Sequence, residues 1–273
     1  MSPLKKRILS GVVIVPIVIA LVLLLPFTAF WVASWMVMGL VAWEWLPLAG
    51  YHTFWGRLLG VILIVALGML ISIAGMMNDQ RTVLWLALLI WLLLTPLVLT
   101  FPITQPVWGK SPLMRAVMAM LVIIPCGCAL TVAADMAWRV HLLFGLILIW
   151  GADITAYFAG HKWGHAKLLP LVSPGKTIAG FAGAIVTGLV LSIIFWLIQT
   201  EGWIDDGAKI AQFMVIGVMT VLAAVIGDLF ESMLKRNAGV KDSSNLIPGH
   251  GGILDRLDSM LAALPLFILL NLL

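Results

Sequence analysis

GDLFESMLKRNAGVKDSSNLIPGHGGILDRLDS, residues 227–259, is a polar island in an apolar chain. Five of the twelve acidic residues lie in it: Asp228, Glu231, Asp242, Asp255 and Asp258. Lys235, Arg236, Lys241, His250 and Arg256 stand among them. The 273-residue chain as a whole is 63% hydrophobic and only 10% charged, against about 25% charged in an ordinary soluble domain. A dense mixture of both signs in such surroundings points to chemistry rather than to packing.

Outward from this island the chain reads as membrane-spanning helices. Apolar runs of about 18 residues or more recur, the length a helix needs to cross a bilayer. Nine such runs are expected, near 8–26, 28–46, 58–76, 83–101, 116–134, 141–160, 177–199, 210–230 and 259–273. The fold class expected is therefore an all-α, polytopic integral membrane protein, with no separate water-soluble domain. The first two runs meet tightly at Pro26 and are compatible with a hairpin as well as with two crossings; the last is short for a crossing. MSPLKKRILSG opens the chain like a signal peptide, but no small-residue cleavage site comes after it, so a retained first helix is expected. Cys126 and Cys128, two apart in one run, cannot face each other on a helix and read as small buried side chains.

Net charge is +4, which in a membrane protein speaks of orientation and not of a nucleic-acid partner. With the N-terminus in the cytoplasm, 13 of the 16 Lys and Arg fall on the inner side, leaving only Arg81, Arg139 and Lys209 outside. That bias fits the positive-inside rule. It brings the two most polar loops, 161–176 and 231–258, to one cytoplasm-facing site.

Three constellations could carry chemistry. GADITAYFAGHKWGHAKL, residues 151–168, places Asp153 inside a span, where a carboxylate is costly unless paired or bound to a cation. SPGKT, residues 173–177, reads as a helix start whose free N–H groups suit a phosphate, with Lys176 adding a point charge. It is not a P-loop, because Pro170 stands where the first glycine would be required. The third is the island itself. Asp228 and Glu231 are three apart, as are Asp255 and Asp258, so each pair shares a helix face. Two such pairs suit Mg2+, which is usually held by one or two carboxylates with water and substrate phosphates. Outside these stretches, Glu44 in AWEWLP lies near the inner end of a span, where function and simple snorkelling to the interface both remain open.

SMLKRNAGVKDSSNLIPGHGGILDRLDS resembles the C-terminal signature of the phosphatidate cytidylyltransferase (CDP-diacylglycerol synthase) family. The likeness extends to GDLFES before it, to VSPGKT, and to ADITAYFAGHKWG, in the same order. It covers the chain well from about residue 141, so the chain divides into N-terminal spans over 1–134 and a signature-bearing region over 135–273, within one continuous membrane domain. Ile178 and Ala179 depart from the Trp and Glu or Gln common in the family, and Ile154-Thr155 from the usual Ser or Thr and Gly.

The resemblance implies CTP and phosphatidic acid as substrates and CDP-diacylglycerol and pyrophosphate as products. It implies Mg2+, with room for a second cation, held by Asp228 and Asp255 with Asp258 and Asp242 as further candidates. Lys235, Arg236, Lys241, Arg256 and Lys176 would hold phosphates, and His250 would orient the leaving pyrophosphate. Ser173, Gly175 and Thr177 complete the nucleotide-binding segment. A homodimer in a bacterial inner membrane, N-terminus cytoplasmic, is the assembly and location implied. Two rival classes fit the sequence less well. A CDP-alcohol phosphatidyltransferase would need an Asp-Gly and Ala-Arg run that is missing. A transporter would use Asp153, Asp228 and Glu44 as an ion path, but the chain has no evident repeat.

Overall fold

The computed structural model describes residues 15–199, 207–246 and 251–273. Ten helices succeed one another: α1 Val15–Leu24, α2 Phe27–Leu48, α3 Phe54–Met77, α4 Arg81–Leu99, the single turn α5 Gln105–Trp108, α6 Pro112–Val132, α7 Arg139–Trp163, α8 Ile178–Gln199, α9 Gly207–Ala238 and α10 Leu254–Leu272. Their starts reflect local chemistry. Thr53 accepts a hydrogen bond from the Gly56 N–H at the head of α3, and Ser111 accepts one from Met114 at the head of α6, just before Pro112. Each cap satisfies one of the donors a helix start leaves unpaired.

Among the described residues, seven helices are long and apolar enough to cross a membrane. Those are α2, α3, α4, α6, α7 with the turn preceding it, α8 and α9. These seven match the second to eighth of the nine runs expected, and the two remaining runs lie at the ends of the chain. The first run is described only as the ten-residue helix α1, the rest of it lying outside the described residues. The last run becomes α10, which carries Asp255, Arg256 and Asp258 in its first turns and is wrapped by its neighbours. Leu261 to Leu269 are all buried, so α10 is a core helix of the bundle, packed against α9, α6 and α4. Its neighbours include helices on both sides of residue 134, and one apolar core runs through both regions.

The all-α expectation also needs one amendment. A small antiparallel hairpin, β1 Lys167–Leu169 and β2 Ser173–Thr177, joins α7 to α8. SPGKT is therefore a strand, and the helix begins only at Ile178. The N–H groups expected to await a phosphate are engaged: Ile178 donates to the Ala166 carbonyl at 3.0 Å, and Gly180 donates to Thr177 Oγ1 at 3.1 Å. Pro and Gly made this segment look like a helix start, whereas pairing with β1 and contact with α9 hold it extended.

Two further features position the site. Arg139, only 1% exposed, sends its guanidinium to the carbonyls of Val22, Leu25 and Ala134 and lies over the Phe30 ring. It thereby ties the end of α1 to the α6–α7 connection. At the other end, α9 runs eight residues past the apolar stretch 210–230 and stops at Ala238. Gly239 takes a φ of +71°, its N–H donating to Arg236 and that of Val240 to Lys235. This is a Schellman turn, which favours glycine at the left-handed position.

Candidate active site

The polar face of α9 is built by helical spacing. Asp228, Glu231, Ser232 and Lys235 point the same way, and Ser232 Oγ donates to Asp228 at 3.4 Å. Two other elements close on this face. From β2, Lys176 Nζ reaches Asp228 Oδ2 at 2.7 Å. From α9, Arg236 Nε donates to the carbonyl of Val172, just before β2, at 3.2 Å, fastening the hairpin to the helix. From the start of α10, Asp255 Oδ1 accepts from Lys235 Nζ at 2.6 Å. Lys235 is also paired with Glu231, one turn earlier on α9.

Glu231 and Val172 apart, these groups line one cavity of about 1210 Å3. Every site residue expected from the sequence and described here faces it: Ser173, Gly175, Lys176, Thr177, Asp228, Lys235, Arg236, Lys241, Asp242, Asp255, Arg256 and Asp258. His250 lies outside the described residues. Asp153 on α7 lines the same cavity, so the three constellations of the sequence converge. Much of the remaining lining is apolar, with Leu146, Trp150, Ile154 and Phe181 contributed by α7 and α8. Polar and lipid-like surroundings thus meet in a single space.

Asp255 is held through both oxygens. Besides Lys235 on Oδ1, its Oδ2 accepts from Ser243 N at 2.9 Å, Ser243 Oγ at 2.9 Å and Gly252 N at 2.8 Å. Burial alone raises its pKa, but the Lys235 ammonium and the Gly252 and Ser243 N–H groups more than offset this and hold it at about 2. Asp255 is a carboxylate at any neutral pH, and it gathers the loop around itself.

The carboxylates of Asp153, Asp228 and Asp258 are near enough to feel one another's charge, and Lys176 acts on Asp153 and Asp258 as well. Among the described residues, no three His, Cys, Asp or Glu side chains converge into a ready-made cage. Mg2+ does not require one, since one or two carboxylates with water and substrate phosphates suffice. The hard oxygen donors of Asp228 and Asp258, beside Asp153, fit that ion, whereas Asp255, expected with Asp228 as a main ligand, has both oxygens engaged by Lys235, Ser243 and Gly252.

Glu44 resolves as neither a snorkelling side chain nor an ion path. It is 2% exposed and accepts hydrogen bonds from Ser243, Ser244 and the Leu254 N–H. Its charge in a span was the only sign of this in the sequence.

A bundle of apolar helices around a cavity lined by lysines, arginines and carboxylates fits the class of membrane-embedded enzymes. The chain belongs to the Cytidylyltransferase family, whose model matches residues 5–273. Among relatives, it is 39% identical to the phosphatidate cytidylyltransferase of Pseudomonas aeruginosa, covering 97% of this chain and 95% of that one. It is 38% identical to the phosphatidate cytidylyltransferase of Haemophilus influenzae, covering 97% of each. The protein of the same name from Bacillus subtilis is 44% identical over 48% of each chain.

Proposed function

We propose that this protein transfers the cytidylyl group of CTP to phosphatidate, giving CDP-diacylglycerol and pyrophosphate. The observation that carries the reading is the mixed lining of the cavity, in which Lys176, Lys235, Arg236, Lys241 and Arg256 share one space with Leu146, Trp150 and Ile154. A lipid phosphate and a nucleotide triphosphate both need cations, and only the lipid needs the apolar lining.

A phosphate oxygen of phosphatidate attacks the α-phosphorus of CTP. The new P–O bond forms as the bond to the oxygen bridging the α- and β-phosphorus breaks, and pyrophosphate departs with that oxygen. The attacking phosphate is already anionic near neutral pH, so no serine or cysteine has to be activated. The chain contributes positioning and charge neutralisation, which dominate phosphoryl-transfer catalysis. Lys176, now paired with Asp228, is placed to exchange that partner for a phosphate, while Lys235, held by Glu231 and Asp255, offers its charge to a phosphate from a fixed position. Arg236, Lys241 and Arg256 add charge at the rim. Asp228 and Asp258 would hold Mg2+, which when bound supplies positive charge to the phosphate oxygens. Asp255 keeps Lys235 and the loop in place, and His250 and Asp242 complete the assignment. We place the cavity at the cytoplasmic face of a bacterial inner membrane, N-terminus inside, in a homodimer.

The test is conversion of phosphatidate by purified protein in detergent, with and without CTP and Mg2+. Product that requires both supports the reading. A folded protein that makes none under any of these conditions refutes it.

A further inference from the structure

We infer that Glu44 is a positioning residue for this reaction, holding from α2 both arms of the polar loop that carries Asp255. The first arm is 241–246 and the second 251–254. Ser244 Oγ donates to Glu44 Oε1 at 2.6 Å, and the Leu254 N–H donates to Oε2 at 2.8 Å. Ser243 Oγ lies 3.0 Å from Glu44 Oε2 and 2.9 Å from Asp255 Oδ2. A hydroxyl has one proton, so it bonds one carboxylate at a time, while the Ser243 N–H keeps its own bond to Asp255. Glu44 and Asp255 therefore clamp the same two arms from opposite sides.

The cap on α10 shows how specific the arrangement is. Ile253 precedes the helix and has no side-chain oxygen to offer its first N–H groups. Glu44, 210 residues away in sequence, accepts from Leu254 in its place. An anion at a helix start is favoured by the unpaired donors and by the helix dipole. Gly252 packs so closely that a Cβ there would strike Ser243 Oγ and Glu44 Oε2. A buried carboxylate in a membrane bundle is costly, and three donors on one anion are what offset that cost. What Glu44 pins are the immediate neighbours of Asp242 and Asp255, with Lys241 one residue further along, so its effect reaches the reacting groups through the loop.

The kinetic side of this inference rests on the cytidylyltransfer reading; the structural side does not. Glu44→Gln keeps the shape but replaces one acceptor with a donor facing donors. In folded protein, kcat is expected to fall about 10- to 100-fold, the usual effect of removing an orienting partner. KM for CTP and for phosphatidate should stay within about threefold, since no substrate contact is lost. Glu44→Asp, which keeps the charge and both oxygens, should recover part of kcat. Independently, trypsin should cut the intact Glu44→Gln protein after Lys241 faster than it cuts wild type. Wild-type kcat together with wild-type protection at Lys241 would overturn the inference. If Glu44→Gln does not fold, Ser244→Ala removes the shortest of the three bonds without touching α2. It should also speed cleavage after Lys241, and an unchanged rate overturns the inference. If wild type makes no CDP-diacylglycerol, the substrate reading falls, and the cleavage rates alone decide the role of Glu44.

Discussion

Lys235 Nζ sits 2.6 Å from Asp255 Oδ1 while its other carboxylate partner, Glu231, lies one turn back on α9. One ammonium thus joins the end of α9 to the start of α10. Breaking one member of a buried ion pair leaves an uncompensated charge, which is far costlier than the pair's net contribution.

Asp255→Asn should lower kcat by about 100-fold or more, as loss of a preorganised charge at a reacting centre does. The asparagine amide would turn a donor toward the N–H groups of Ser243 or Gly252 or toward Lys235, all donors themselves. The variant should still elute as folded protein in detergent, with a thermal midpoint lowered by the loss of these bonds. Near-normal turnover would remove Asp255 from the site.

Lys176→Ala should raise KM for CTP by about tenfold, because a phosphate loses a charge-assisted contact. Steady-state kinetics at saturating phosphatidate measure this. An unchanged KM and kcat would leave Lys176 as only a strut between β2 and Asp228.

Lys241→Ala should weaken use of CTP or of phosphatidate with little effect on folding, since Lys241 is exposed at the cavity rim. Unchanged kinetics for both substrates would make it a bystander.

Arg139→Met should do the reverse. It strands the carbonyls of Val22, Leu25 and Ala134, at a cost of about 1–3 kcal/mol for each buried group left unpaired. Thermal stability should drop, while turnover per folded molecule stays near wild type. A selective loss of turnover at unchanged stability would contradict a purely anchoring role.

Much of this site is legible in the sequence, because charge is conspicuous in an apolar chain. Asp228, Lys235, Asp255 and Asp258 stand out for that reason, and helical spacing places each pair on one face. The spans are legible from hydropathy alone. Lipid-facing and core helices are equally apolar, however, so composition cannot reveal that α10 lies at the centre of the bundle. The hairpin is hidden because Pro174-Gly175 signals a turn without fixing whether a strand or a helix adjoins it. Its extended form depends on partners such as Lys167 and Arg236. Glu44 is visible as a charge but not as a clamp, since its three donors lie about 200 residues away in sequence.

An ammonium held by Asp228 is withheld from a phosphate, and a carboxylate held by Lys176 is withheld from a cation. On the proposed reading, a nucleotide phosphate that drew Lys176 away would free Asp228 for a divalent ion, and an ion that drew Asp228 away would free Lys176 for the phosphate. The two ligands would then be linked through this one contact, and such linkage is reciprocal by thermodynamic necessity. CTP and Mg2+ together should raise the melting temperature by more than the sum of their separate effects, and Lys176→Ala should bring the two closer to simple addition. The resting enzyme, its charges satisfied internally, would then commit to neither ligand until both arrive.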